Sequence, residues 1–236
     1  MRFLLIRPIE ESNALANTLI NMGHKAIIDP VLTITPEAHT NIALSPYQAL
    51  IFTSAAAVKI FQQKYGAVNL KVFTVGQKTA LEAKKRGFKE VLNADGDVKK
   101  LAKLIKTTLD AHQGPLLYLS ADHIAKDINH LLHKDGYQIE RAIIYRAEAK
   151  TVLNEQSKNA LKSNKIDYIP FYSARSALIF KEMVVKSNIV DTLNHVTALN
   201  LSLNVERQVS DLPWKKVITA SHPKECELFN LIGIDL

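Results

Sequence analysis

The chain has 236 residues, enough for one large or two small domains that each bury a core, and its 47% hydrophobic and 22% charged content is ordinary for a globular protein. A single cysteine, Cys226, excludes a disulfide framework and a thiolate zinc cluster, and the four apolar residues from Phe3 to Ile6 are too few for a signal-peptide core or membrane span, so a cytoplasmic protein is expected. The balance of 30 Lys and Arg against 23 Asp and Glu, net +7, favours an anionic partner, but no RNA-binding motif or helix-turn-helix pattern accompanies it and neither nucleic acid nor membrane is expected.

Short apolar runs alternate with amphipathic stretches, the pattern of strand-helix units around a parallel sheet, so the fold class is α/β. Predicted strands are 3–6, 26–28, 49–52, 71–75, 90–92, 116–119, 139–145, 168–171, 196–199 and 217–219. Helical spacing links Leu15, Leu19 and Met22, then Ala57, Phe61 and Tyr65, then Ala177, Phe180 and Val184. Lys84-Lys85-Arg86 precedes Gly87, where a glycine cap would set the cations against the negative end of a helix. His123, His130 and His133 fall on one side of a predicted helix whose opposite stripe is Ile124, Ile128, Leu131 and Leu132; they read as solvent-facing, and no metal site is expected.

The chain repeats itself. Phe52-Thr53-Ser54-Ala55 returns as Phe171-Tyr172-Ser173-Ala174, an offset of 171 − 52 = 119, each time where a strand gives way to a helix. Lys89-Glu90-Val91-Leu92 is echoed by Lys215-Lys216-Val217-Ile218, and the opening unit through Gly23 to Ala26-Ile27-Ile28 by Leu116-Leu117 through Gly136 to Ala142-Ile143-Ile144. Two similar parallel-sheet domains of flavodoxin-like type are expected. The order of the pieces implies that residues 1–35 and 147–236 form a discontinuous domain with 38–144 inserted as the other. Extended crossings near 32–36 and 145–148 would form a two-stranded linker and a hinge.

Together, the opening Leu-Leu-Ile-Arg-Pro, the stretch from Ile51 to Val58, Val75-Gly76-Gln77-Lys78-Thr79-Ala80, Tyr145-Arg146-Ala147-Glu148 and Phe171-Tyr172-Ser173-Ala174 resemble the uroporphyrinogen-III synthase family over nearly the whole chain. The resemblance implies two α/β domains with a cleft between them. It also implies a cofactor-free lyase that cyclises hydroxymethylbilane, an open tetrapyrrole with eight acetate and propionate side chains. In that family, loss of the terminal hydroxyl gives an azafulvene, attack at the substituted carbon of the last ring gives a spiro intermediate, and reclosure inverts that ring. The preceding deaminase is a further candidate partner, and the chain is expected to be a monomer.

A substrate that supplies its own nucleophilic carbon asks the protein for folding, charge stabilisation and water exclusion. The sequence carries no metal-ligand motif, nucleophile elbow, P-loop or dinucleotide fingerprint, and its eight glycines leave little for a phosphate cradle. A nucleotide-dependent enzyme is therefore disfavoured. Carboxylates can instead be bound by backbone N–H groups at helix starts, and the strand ends at Thr53, Ser54, Gly76, Ser120, Tyr172 and Ser173 are candidates for that role. By the resemblance, Tyr145 matches a family tyrosine proposed to protonate the departing hydroxyl, and Thr79 matches a family threonine. Ser54 and Ser173 also read as helix N-caps.

The sequence departs from the family pattern at several places. The second copy of the Val-Gly motif is expected at 199–204, with Asn200 for the glycine and Leu203 for the threonine; Ala56 replaces a common asparagine or arginine, and Ser120-Ala121 an arginine-glycine pair. These changes motivate a second reading, a catalytically weakened member acting as a tetrapyrrole-binding or regulatory module.

Overall fold

Apolar runs without polar alternation suit strands buried on both faces, which parallel sheets achieve by covering each side with helices. The computed structural model describes residues 1–37, 41–124 and 127–236, so the expected start of an inserted domain at residue 38 lies outside the described residues. The elements are β1 (Arg2–Leu5), α1 (Ile9–Asn21), β2 (Lys25–Ile28), β3 (Leu32–Pro36), β4 (Ala49–Phe52), α2 (Ala55–Tyr65), β5 (Lys71–Thr74), α3 (Gln77–Lys85), β6 (Val91–Asn93) and α4 (Val98–Thr108). They continue with β7 (Leu116–Ala121), α5 (Asn129–Leu132), β8 (Ile139–Ala149), α6 (Glu155–Lys162), β9 (Tyr168–Phe171), α7 (Ala174–Lys186), β10 (Thr197–Asn200), α8 (Leu203–Glu206), β11 (Lys216–Thr219) and α9 (Glu225–Asn230).

The chain divides into a discontinuous unit, Met1–Thr33 with Glu148–Leu236, and an inserted unit, Ile34–Ala147. Both crossings fall inside strands, β3 and β8.

In the discontinuous unit the sheet order is β11-β10-β9-β1-β2, with each neighbouring pair parallel. Numbered along the chain from the β2 edge, this is 2-1-3-4-5, the flavodoxin-like order. The other sheet runs β3-β8-β7-β4-β5-β6, and its strands from β8 to β6 are parallel throughout. Counting its strands from β7 and β8 and then β4 to β6 recovers 2-1-3-4-5, so the inserted unit is a circular permutation of the same layout.

The pleat explains the runs. Phe3 and Leu5 enter one core with Leu15, Ala16 and Leu19 of α1, while Leu4 and Ile6 enter the opposite core with Ala177, Phe180 and Val184 of α7. In the inserted unit Leu50 and Phe52 pack with Phe61 of α2, whereas Ala49 and Ile51 pack with Leu101 and Ile105 of α4.

Polar contacts join the two segments of the discontinuous unit. Arg2 grips Asp167 through its backbone N–H at 2.8 Å, Nε at 3.1 Å and Nη2 at 2.5 Å, beside the register pair Phe3 and Tyr168. The Asp29 carboxylate, fully buried, accepts from the Asn154 N–H at 2.8 Å and Lys150 Nζ at 3.3 Å, while the Lys150 N–H donates to the Val31 carbonyl at 2.9 Å.

Two expectations change. No single helix carries His123, His130 and His133: α5 is one turn, His133 opens a separate 3-10 turn, and His123 precedes both. All three histidines are exposed, and no cluster of metal-ligating side chains occurs among the described residues. The central strand also runs past Tyr145 to Ala149.

The Arg2 partner holds the Asp167 carboxyl below its usual range, mainly by hydrogen bonding against an opposing burial cost. A depressed carboxyl adds stability above its unfolded value that is lost as pH falls, so the gap in urea midpoint between wild type and Asp167→Asn should be present at pH 7 and shrink below about pH 4. Asp29→Ala, which removes a buried carboxylate from its partners, should cost about 3 kcal/mol in urea unfolding.

Candidate active site

In a doubly wound sheet the natural crevice lies at the carboxyl ends of the two central strands whose following helices leave to opposite faces. In the discontinuous unit these strands are β1 and β9, followed by α1 and α7 in opposite cores. In the inserted unit they are β7 and β4.

At the inserted unit's switch point, Thr53 and Ser54 follow β4. Thr53 Oγ1 lies 3.1 Å from the hydroxyl of Tyr118 on β7, and Ser54 Oγ lies 3.0 Å from the hydroxyl of Tyr145 on β8. Ser54 Oγ also accepts the Ala57 N–H at 3.0 Å, capping α2. A β-bulge places Tyr145. The pairing slips between Ser120, opposite Ile143, and Ala121, opposite Tyr145, so the consecutive residues Ile144 and Tyr145 both join the core that faces α2. Tyr145 is thereby only 7% exposed. Burial pushes the Tyr118 phenol up against a smaller lowering influence of Thr53, which keeps it neutral.

Ser120 has a different setting from the one expected. Among the described residues the next helix along the chain, α5, begins only at Asn129, so Ser120 caps no helix of its own; the helix start near it is that of α2, on the neighbouring strand end, where Phe52 pairs with Leu119. Ser120 is buried, donates to the Ala121 carbonyl at 3.0 Å, and accepts Arg141 Nε at 2.8 Å, while Arg141 Nη2 reaches the carbonyls of Ala121 and Asp122 at 2.6 Å each. Gly76 precedes α3 in extended backbone with no side-chain cap, and open space lies where a Cβ would project. Thr79, in the first turn of α3, is buried. A shallow cavity of about 270 Å³ bordered by Tyr47, Glu140 and Arg141 adjoins Leu117 near the start of β7, away from the carboxyl ends.

In the discontinuous unit, Ser173 Oγ accepts the Ser176 N–H at 3.1 Å and caps α7. Arg7, just past β1, lies 3.8 Å above the Tyr172 ring centroid and pairs with Glu11 at 2.8 Å and Glu225 at 2.7 Å. Burial, reinforced by Glu225, pushes the Tyr172 phenol far above its ordinary range, and its buried hydroxyl has no hydrogen bond of acceptable geometry.

The chain matches the family described as uroporphyrinogen-III synthase HemD over residues 13–230. It belongs to the uroporphyrinogen-III synthase family. Among solved structures, the uroporphyrinogen-III synthetase of Helicobacter pylori is similar at 20% identity and a TM-score of 0.69, covering 98% of each chain. A mutant uroporphyrinogen III synthase of the extremely thermophilic bacterium Thermus thermophilus is similar at 15% identity and a TM-score of 0.57, covering 99% of this chain and 96% of that one. These likenesses support the two-domain α/β fold. No curated protein sequence matches. No helix among the described residues is long and apolar enough to cross a membrane.

Sheet register refines how this member of the uroporphyrinogen-III synthase family departs from the family pattern. Phe52 pairs with Thr74 and Phe171 with Asn200, so Asn200 is the counterpart of Thr74, at an offset of 200 − 74 = 126. The counterpart of Gly76 is then Ser202, before α8, and that of Thr79 is the buried Val205; Asn200 and the exposed Leu203 do not hold those places. Asn200 is fully buried, and its Nδ2 donates to the Ile218 carbonyl at 3.4 Å. Register pairs Thr74 with Asn93 and Asn200 with Thr219, the same two residue types exchanged between strands.

Register also equates Phe3 with Leu116, through Tyr168 and Ala49, and four residues later Arg7 with Ser120. The arginine missing after β7 thus has a counterpart after β1, and Arg141 brings a guanidinium to Ser120 from the neighbouring strand. By the offset of 119, Ala56 corresponds to Arg175, in the first turn of α7. Arg7, Tyr118, Arg141 and Arg175 were not among the site residues expected from sequence. The 119-residue offset was the available signal for Arg175; nothing local marked Tyr118 or Arg141.

Ser54→Ala should cost about 1 kcal/mol through the lost cap. In a double-mutant cycle with Tyr145→Phe, urea unfolding should show a coupling of at least about 0.5 kcal/mol; strict additivity would mean that the two hydroxyls do not bond.

Proposed function

We propose that the chain is a uroporphyrinogen-III synthase, a cyclising hydro-lyase that converts hydroxymethylbilane to uroporphyrinogen III and water. Family membership supports this reading, and the observation that carries it on this chain is the Tyr145 hydroxyl held 3.0 Å from Ser54 at a topological switch point. Tyr145 is assigned as the proton donor to the departing hydroxyl. That oxygen leaves as water, the azafulvene forms, the substituted carbon of the last ring attacks to give the spiro centre, and cleavage and reclosure with loss of a ring proton yield the inverted isomer. Ser54, already accepting from Ala57, can donate to the Tyr145 oxygen and so lower the cost of proton release.

Substrate carboxylates are assigned to Thr53, Ser54, Gly76 and Thr79 in the inserted unit and to Tyr172 and Ser173 in the discontinuous unit. The first-turn N–H groups of α2, α3 and α7 offer charge complementarity that needs no metal or nucleotide. Ser120, satisfied by Arg141, is assigned a place beside the substrate rather than a helix-start anion site. We take the enzyme to work in the cytoplasm as a monomer fed by the deaminase that builds the bilane, because an uncaptured bilane closes spontaneously to the type I isomer.

Purified protein given fresh hydroxymethylbilane should yield type III isomer well above the blank. A blank-like isomer ratio, even with tetrapyrrole-induced stabilisation, would reject catalysis. Tyr145→Phe should lower kcat by about 10²-fold, the low end of general-acid effects, with the melting temperature little changed; an unaltered kcat would remove Tyr145 from the chemistry.

A further inference from the structure

We infer that Arg7 is a further carboxylate-recognition residue of the discontinuous unit, and that Glu225 is an internal stand-in for a substrate carboxylate, displaced from Arg7 when the bilane binds. The inference deepens the synthase reading and rests on it. Arg7 stands at the end of β1 beside β9, where a doubly wound sheet opens its crevice. Its guanidinium is fixed on two sides before any ligand arrives. The Tyr172 ring covers one face at 3.8 Å, and Glu11, four residues along on α1, takes Nε at 2.9 Å and Nη2 at 2.8 Å. Both nitrogens fall on a single oxygen, Glu11 Oε2, so one carboxylate already neutralises the arginine.

Glu225 is the surplus partner. It meets Arg7 only at Nη1, at 2.7 Å, with 42% of its side chain exposed against 16% for Arg7. It places a second carboxylate on one cation and, though it stands beside the buried Tyr172 hydroxyl, does not meet it in hydrogen-bond geometry. A ligand carboxylate has two oxygens, and one arriving here could accept from Arg7 Nη1 and from that hydroxyl together. Glu225 can leave without unfolding its helix, because Leu228 and Phe229 anchor α9 in the core and Glu227 separately holds the backbone and ring of His222. An occupant already on the arginine disfavours small monoanions and selects a ligand with many carboxylates, whose other contacts offset the exchange.

The test compares wild type with Glu225→Gln and Glu225→Asp, the second keeping the charge on a shorter stem, and with Arg7→Gln alone and combined with Glu225→Gln. With hydroxymethylbilane as substrate, each Glu225 variant should lower KM about three- to tenfold without moving kcat, Arg7→Gln should raise KM at least tenfold, and the gain from Glu225→Gln should vanish in the double variant. An unchanged or raised KM in both Glu225 variants would overturn the inference while type III production by wild type leaves the synthase reading standing. Uroporphyrin binding, followed by fluorescence quenching, repeats the comparison without turnover. Tighter binding by the Glu225 variants would support the stand-in role even if wild type makes no type III isomer, and equal binding would overturn it.

Discussion

The discontinuous unit exists only if its first strand is captured by a partner far along the chain. β1 lies between β2, its near neighbour in sequence, and β9, and the Arg2–Asp167 contact spans 165 residues. Closing so long a loop costs entropy, but the cost grows only logarithmically with length, so an insertion of this size is tolerable once the junction is well made. The junction is made by two devices. A half-buried ion pair aligns β1 with β9, and the buried Asp29 ties the residues before the first crossing to Lys150 and Asn154 after the second. The apolar alternation of Phe3 to Ile6 then commits both faces of β1 to cores built largely from the other segment.

The two units share a layout, yet their strand ends differ in chemistry. After β1 stands Arg7; the register-equivalent place is Ser120, in the last two residues of β7, served by Arg141 from the next strand. After β9 the sequence reads Tyr172-Ser173-Ala174-Arg175, and after β4 Thr53-Ser54-Ala55-Ala56. The discontinuous unit thus carries Arg7 and Arg175 where the inserted one carries Ser120 and Ala56, and the inserted one pairs Thr53 with Tyr118 and Ser54 with Tyr145.

Much of the fold was legible because parallel strands announce themselves as short apolar runs, and the capping serines were readable from their position between strand and helix. The extended stretch at 32–36 is both the first crossing and strand β3, none of whose residues is fully buried, so no apolar run signals the strand. The helix pattern of Val98, Leu101, Ala102 and Ile105 behind the Asp97 cap was present but lies in a lysine-rich segment where charge masks the stripe. Histidine spacing suggested one helix where the chain makes separate turns, because periodicity in apolar positions is also produced by loops that dip into a core. The counterpart of Gly76 was misplaced by two residues, since sequence similarity tracked Leu199-Asn200 while hydrogen-bond register tracks strand ends. Contacts such as Arg141 to Ser120 and Tyr118 to Thr53 depend on which strands are neighbours, information that no local window contains.

Because β1 pairs with β9 across the inserted unit, synthesis order matters. The Phe3-Leu4-Leu5-Ile6 segment leaves the ribosome long before its β9 neighbour, and at about 5–20 residues per second the wait for Tyr168 is on the order of ten to thirty seconds. The inserted unit, contiguous in sequence, can complete its sheet during that interval. Until then the apolar β1 has only its sequence-near neighbours α1 and β2 to pack against.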